Sequence, residues 1–279
     1  MDIVLAKSAG FCFGVKRATK MAFEAVETHD HLCSLGPIIH SPQVVEMLSD
    51  QGVEVFNDVQ DIPQGAVIIR SHGVSAEEMS RILDRDLIVV DATCPFVKKA
   101  QEDVARLSSE GYSIVIVGEL EHPEVQGIVS YADSKRAYVV ANVNEVSNLP
   151  RMNRIGIVAQ TTQSIENLRE VVSACLVRCQ EIRVYNTICD ATLVRQNEAS
   201  AIARQVDLML VIGGYNSANT TRLAQICKEI QPETYHIETA GDIDSGWFNG
   251  TGKVGITAGA STPRWLIDEV VSRVASYGK

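Results

Sequence analysis

No stretch of this 279-residue chain approaches the ~18 consecutive apolar residues that a membrane-spanning helix needs. The opening segment, MDIVLAKSAGFCFG, lacks both a basic leading region and an apolar core, so no signal peptide is expected and the chain is placed in the cytosol. Basic charge is scarce as well. Lys and Arg number 25 against 35 Asp and Glu, a formal net charge of −10. A surface of that sign excludes nucleic acid as the main partner, because phosphate backbones need a basic face. It leaves room for a small anion in a local pocket. A Walker A sequence is missing. Residues 250–255 spell G-x-G-x-x-G, but they precede an apolar run instead of following a strand and opening a helix. They are read as a tight turn, with no dinucleotide site. In a reducing compartment the seven cysteines do not suggest a disulfide framework and point instead to metal or redox work.

What is present is a threefold repeat. Cys12 is followed 24 residues later by Gly36 and 28 later by His40. Cys94 stands in the same relation to Gly118 and His122, and Cys189 to Gly213 and Ser217. Each unit begins with a strand running into its cysteine, at residues 3–6, 87–90 and 182–185. A basic helical stretch follows, then a short apolar strand that breaks at glycine (CSLG, SIVIVG, LMLVIGG). The tail after each break carries polar residues and starts another helix, with Pro42, Pro123 or Asn219 near its beginning. A further strand comes next (VEVF, AYVVA, TYHIE). The last strand of each unit ends at SHG, QTT or GAST, which sets His72, Thr161 and Ser261 at strand ends. A final helix leads to the next pre-cysteine strand. The third unit lacks that strand, and residues 3–6 can supply it and close the ring.

Alternating strands and helices predict parallel sheets with right-handed crossovers. The expected fold is α/β: three similar α/β domains with parallel-type sheets arranged around a pseudo-threefold axis. The first spans 14–93, the second 94–188, and the third 189–279 completed by 1–13. Ligands in such sheets bind beyond the carboxyl ends of the strands, where the three cysteines and the polar tails all fall. Thiolates favour iron–sulfur clusters or zinc. The long spacings between Cys12, Cys94 and Cys189 fit neither a zinc ribbon nor a ferredoxin run, so the site is expected to be assembled from all three units. Three ligands on a metal that takes four leave one position open to water or substrate. Cys33, Cys175, Cys179 and Cys227 read as packing residues, the first in a strand and the others in helical patterns. His29, His31 and His236 read as structural.

These motifs also resemble a family. GFCFGV, GPIIHSPQVV, SHGV, DATCPFVKKA, HPEVQG, AQTT, NTICDAT with VRQ after it, NSANT and TAGAS follow one another along almost the whole chain. Together they are similar to the 4-hydroxy-3-methylbut-2-enyl diphosphate reductase (IspH/LytB) family. The resemblance implies a [4Fe–4S] cluster on Cys12, Cys94 and Cys189, with one iron lacking a cysteine and open to the substrate hydroxyl. It implies a reductive dehydroxylation that yields isopentenyl and dimethylallyl diphosphate, the last step of the non-mevalonate isoprenoid pathway. Glu124 takes the proton-delivery role, Thr161 holds the glutamate and the substrate hydroxyl, and His122 joins them. His40, His72, His122, Ser217, Asn219 and Ser261 match the diphosphate-binding set. Ala218 belongs to the same stretch but stands where the family pattern has serine, which removes one hydroxyl contact.

The residues themselves are consistent with these roles. Glu124 is the one carboxylate on a repeat tail beside a histidine, although an acid following Pro123 could also be an exposed helix cap. The diphosphate set contains no Lys or Arg, so helix N-termini and histidines must supply its donors. With no flavin or nicotinamide motif, electrons are expected from a separate ferredoxin- or flavodoxin-type protein. Two alternatives remain open at this level: a metal-dependent hydrolase or hydratase, and a non-enzymatic iron–sulfur sensor.

Overall fold

Short apolar runs punctuated by glycine become strands, and amphipathic stretches between most of them become helices. The protein is described by a computed structural model over residues 1–277. β1 (Asp2–Leu5) opens the chain. The first repeat is α1 (Phe13–Thr28), β2 (Leu32–Leu35), α2 (Pro42–Ser49), β3 (Glu54–Phe56), β4 (Ala66–Ile69), α3 (Ala76–Leu83) and β5 (Ile88–Asp91). The second is α4 (Pro95–Ser109), β6 (Ser113–Val117), α5 (Pro123–Val129), β7 (Ala137–Val140), β8 (Arg154–Ala159), α6 (Ile165–Leu176) and β9 (Glu181–Val184). The third is α7 (Asp190–Ala203), β10 (Leu208–Ile212), α8 (Ala218–Ile230), β11 (Thr234–Ile237), β12 (Lys253–Ala258) and α9 (Arg264–Tyr277).

The strands form three four-stranded sheets in the orders β3-β2-β4-β5, β7-β6-β8-β9 and β11-β10-β12-β1, with every pairing parallel. The order is the same in all three, and β1 takes the place that β5 and β9 hold in the other two. It pairs in register with β12, Val4 opposite Gly255 and Leu5 opposite Ile256. Parallel pairing requires a crossover between strands, and the helices provide it.

Two compact units divide these sheets. One comprises Met1–Lys16, His40–Val45 and the chain from Asp190 on, and holds the β11-β10-β12-β1 sheet. Both faces of this sheet are covered, so β10 reads LMLVI without a polar residue and is buried throughout. Leu208, Leu210 and Ile212 pack with Leu266, Ile267, Val270 and Val274 of α9. Met209 and Val211 face the other way, onto Ala199, Ile202 and Ala203 of α7 and Leu223 of α8. The second unit, Arg17–Ile39 and Glu46–Cys189, holds the other two sheets. There Ile114 and Ile116 of β6 bury against Ala100, Val104 and Leu107 of α4, and Cys33 and Leu35 of β2 against Val67, Ile69 and Ile82. Among the described residues no helix is long and apolar enough to cross a membrane.

The strand ends repeat one hydrogen-bond pattern. Gly36, Gly118 and Gly213 each donate their N–H to the last residue of a neighbouring strand, Phe56, Val140 and Ile237, at 2.8, 2.9 and 2.9 Å. The run at 250–255 passes from a turn, with Gly250 at φ 80°, straight into β12, as a tight turn requires. One element differs from expectation. α6 stops at Leu176, so Cys179 lies beyond the helix rather than within it. The Arg178 guanidinium donates to the carbonyls of Ser147 and Leu149, and this tie draws the chain away toward β9.

Gly213 combines a left-handed φ of 144° with close neighbours. A Cβ there would stand 2.6 Å from Thr262 Oγ1 and 2.8 Å from Thr220 Oγ1. Gly213→Ala is expected to lower the urea unfolding free energy by about 1–3 kcal/mol, the range for overpacking a tight interior. Gly52→Ala, at φ 89° with open space around it, carries backbone strain alone and should cost less.

Candidate active site

Each repeat cysteine occupies the residue just before a helix: Cys12 before α1, Cys94 before α4, Cys189 before α7. Each donates its backbone N–H to a carbonyl just past the end of a neighbouring strand. Cys12 bonds to Ala260 at 3.1 Å, Cys94 to Ser71 at 2.9 Å and Cys189 to Thr161 at 3.0 Å. The thiol is therefore held at the carboxyl edge of its sheet. At Cys12 the Val15 N–H also points at Sγ, 3.5 Å away. All three are half-exposed and none is in a disulfide. Of the other four, Cys33, Cys175 and Cys227 are buried and Cys179 is half-exposed. Burial pushes the Cys33 and Cys179 thiols up, Cys175 to about 11 and Cys227 to about 12, so these sulfurs stay protonated. Among the described residues no three or more His, Cys, Asp or Glu side chains are grouped as the ligands of a metal ion.

In the second unit, the end of β8 meets the start of α5. His122 caps α5, its Nδ1 accepting the Glu124 N–H at 3.2 Å. A neutral ring that accepts at Nδ1 carries its proton at Nε2, which makes that nitrogen a donor. Glu124 is not an exposed cap. It is 3% exposed, and both carboxylate oxygens are taken by one residue: the Thr161 N–H donates to Oε1 at 2.6 Å and the Thr161 hydroxyl to Oε2 at 2.8 Å. Burial raises the carboxyl above its ordinary value, and the two Thr161 bonds offset only part of that rise. Burial of this kind raises an acid's affinity for a proton, as proton-transfer sites require. The His72 ring stands edge-on to His122, 5.7 Å between centroids. Gly73, at φ 74°, lets the His72 turn pass Gln101 and Thr93 where a Cβ would clash.

In the unit that holds the β11-β10-β12-β1 sheet, Ser217 caps α8, accepting the Thr220 N–H at 3.4 Å, and Ala218 is the first residue of that helix. Ala218 brings a backbone N–H to the helix start but no hydroxyl. Asn219 is 5% exposed, and neither its Nδ2 nor its Oδ1 has a protein partner. A buried amide at a helix N-terminus can donate to and accept from a polar ligand. The Ser261 hydroxyl donates to the His40 carbonyl at 2.9 Å, which joins two of the candidate residues directly. His236, read as structural, bonds through Nε2 to the Gly213 carbonyl at 2.9 Å.

Two supports escaped the sequence reading. Gln160, 1% exposed, accepts the Glu119 N–H through Oε1 at 3.1 Å and so fixes the turn that leads to His122. Arg195 is buried at 3% exposure on the same face of α7 as Ala199 and Ile202. The one available signal was phase. At helical spacing from those apolar residues, position 195 faces inward, where an unpaired arginine is not tolerated.

A family model described as LytB protein matches residues 3–275. The 4-hydroxy-3-methylbut-2-enyl diphosphate reductase of Syntrophotalea carbinolica is 62% identical over 279 residues, covering 100% of both chains. The enzyme of that name from Geobacter sulfurreducens is 62% identical over 277 residues, covering 99% of this chain and 98% of the relative. A solved (E)-4-hydroxy-3-methyl-but-2-enyl diphosphate reductase, described as the terminal enzyme of the non-mevalonate pathway, is 45% identical with a TM-score of 0.72, covering 99% of this chain and 100% of that one. The reductase structure from Plasmodium falciparum is 28% identical with a TM-score of 0.90, covering 97% of this chain and 87% of that one.

The raised Glu124 carboxyl sets a pH dependence with a definite sign. A carboxyl that holds its proton more tightly folded than unfolded favours the folded state below its ordinary value of 4.5. That advantage is lost as pH rises from 4.5 toward the folded value. Glutamine does not titrate. The melting temperature of Glu124→Gln, relative to the parent chain, should therefore climb between about pH 4.5 and pH 8. A difference that stays flat over this range would show that the carboxyl is not perturbed.

Proposed function

This chain belongs to the LytB protein family, and we propose that it is a 4-hydroxy-3-methylbut-2-enyl diphosphate reductase. In that reaction the allylic C–O bond breaks, two electrons and two protons enter, and water leaves with isopentenyl or dimethylallyl diphosphate as product. The observation that carries the reading is full-length identity of 62% to reductases, joined to a buried Glu124 in the first turn of α5 whose carboxyl is raised by burial. The hydrolase, hydratase and sensor alternatives find no support among these relatives.

The donor set fits an iron–sulfur cluster. Cys12, Cys94 and Cys189 are soft ligands, free of disulfides, half-exposed, and each fixed by the same backbone bond at a helix start. A [4Fe–4S] cluster on these three, when bound, supplies electrons and a Lewis-acidic iron. The rest falls to the chain. Glu124 is assigned the proton that the leaving hydroxyl needs. Thr161 aligns its carboxyl with two bonds and keeps lone pairs on Oγ1 that can accept from the substrate hydroxyl. His122, bonded at Nδ1 to the Glu124 amide, offers its Nε2 proton. For the diphosphate we assign His40, His72, His122, Ser217, the helix start at Ala218, Asn219 and Ser261. The unpartnered Asn219 amide and the α8 N-terminus offer donors to such an anion without a lysine or arginine. A separate ferredoxin- or flavodoxin-type protein in the cytosol is the electron source this reading requires.

Anaerobic purification followed by turnover of the hydroxylated allylic diphosphate with a chemical reductant tests the function. Cys94→Ser should lose bound iron and sulfide, while Cys227→Ser retains them. Glu124→Gln should keep its iron but lose about 10²–10⁴-fold in turnover, the usual worth of general acid catalysis. Full iron in the first variant, or parent-like turnover in the last, would reassign those residues. Inorganic diphosphate should compete with substrate, and Asn219→Ala should weaken that competition. Equal inhibition of parent and variant removes Asn219 from the anion site.

A further inference from the structure

A guanidinium buried at 3% exposure needs acceptors, and Arg195 finds three of them on backbone carbonyls. Its Nη2 donates to the carbonyls of Ser8 and Gly10, both at 2.8 Å, and its Nη1 to Ala191 at 3.2 Å. Ser8 and Gly10 lie in the turn that runs into Cys12. Glu198, one helical turn further along α7, holds the same turn by its amides. Its carboxylate accepts the Lys7 and Ser8 N–H groups, each at 2.8 Å, together with the Ser8 hydroxyl. Although burial raises the Glu198 carboxyl, the Ser8 hydroxyl and the two amides outweigh it and hold it below its ordinary value. The cation grips the carbonyls of this turn and the anion its N–H groups.

The same device occurs elsewhere. Arg17 of α1 donates to the carbonyls of Thr93 at 3.1 Å and Asp91 at 3.3 Å, in the segment that runs into Cys94. Arg106 of α4 is different: it pairs with Asp103 of its own helix and only lies over the ring of Tyr185, 4.8 Å from the centroid. α7 begins after Cys189 and α1 after Cys12. In these two cases the helix that starts at one cysteine carries the arginine that holds the approach to another. Charge-assisted bonds to backbone carbonyls are stronger than neutral ones, and losing one leaves a buried acceptor unsatisfied.

We propose that Arg195 and Arg17 are positioning residues, each holding the turn that runs into one cysteine from a helix that begins at another. This rests on the reading of Cys12, Cys94 and Cys189 as cluster ligands only for its consequence at the metal.

The test uses full-length Arg195→Gln and Arg17→Gln, each beside the lysine variant, before and after iron–sulfide reconstitution. In Arg195→Gln, amide hydrogen exchange over residues 6–12 should rise about tenfold, a change of the size expected for local opening, with residues 91–94 unchanged. In Arg17→Gln the two segments should exchange roles. Lysine, with one donor site in place of a fork, should restore part of the protection. After reconstitution, the electron paramagnetic resonance signal of the reduced cluster should shift in both glutamine variants. Exchange that rises in both segments together, or a parent-like exchange pattern and resonance signal, overturns the proposal. If a glutamine variant does not fold, the lysine variant decides by the same segregation. A parent chain that takes up no cluster refutes the proposed function and leaves the exchange comparison to judge the turns.

Discussion

The placement of the candidate residues depends on one backbone hydrogen bond made three times. The N–H of each repeat cysteine donates to the carbonyl just past a strand end, at Ala260, Ser71 and Thr161. Because every sheet is parallel, all four strands of each stop at the same edge. That bond brings a thiol to the edge and starts a helix there. The glycines 24 residues further on turn the next strand at the same edge and release the polar tails. Moving the bond by one residue would carry the sulfur, the helix start and the tail out of phase together.

Within this frame the chemistry comes from burial rather than net charge. The chain carries an excess of ten negative charges, yet the proposed anion-binding roles fall to residues without formal charge. Asn219, Ser217 and Ser261 sit near helix and strand ends where amide dipoles converge. Glu124 makes the opposite use of burial. Desolvation raises its affinity for a proton, and Thr161 limits that rise with two donors on opposite oxygens. Thr161 contributes a third group, its carbonyl, to the Cys189 N–H. A single residue thus joins a thiol-bearing turn to a proton-bearing carboxyl.

Much of this was legible in the sequence. The phase of Cys12, Cys94 and Cys189 within the repeat set them apart from Cys33, Cys175, Cys179 and Cys227; the structure leaves the first three half-exposed and buries Cys33, Cys175 and Cys227, while Cys179 is half-exposed too. The absence of a closing strand in the third repeat foretold the pairing of β1 with β12. What stayed hidden was non-local. Glu124 follows a proline in the first turn of a helix, where an acid is ordinarily a solvated cap; its burial depends on a threonine 37 residues away. The end of α6 was misplaced because LVRC continues the helical pattern, while the tie that stops it joins Arg178 to Ser147 and Leu149. The roles of Arg17 and Arg195 stayed hidden because they donate to carbonyls 74 to 187 residues distant.

The pairing of β1 with β12 has a consequence for biosynthesis. Asp2–Leu5 leaves the ribosome about 250 residues ahead of its partner, Lys253–Ala258. The sheets of the first two repeats find all their strands within a contiguous stretch and are free to form during translation. The β1-containing sheet must wait, with an edge open and a short apolar strand unpaired, until that partner has been made. A pairing so distant in sequence is expected to be a late folding event. The turn that bears Cys12 continues directly from that strand, so this sulfur reaches its place only after Ala260 has been made.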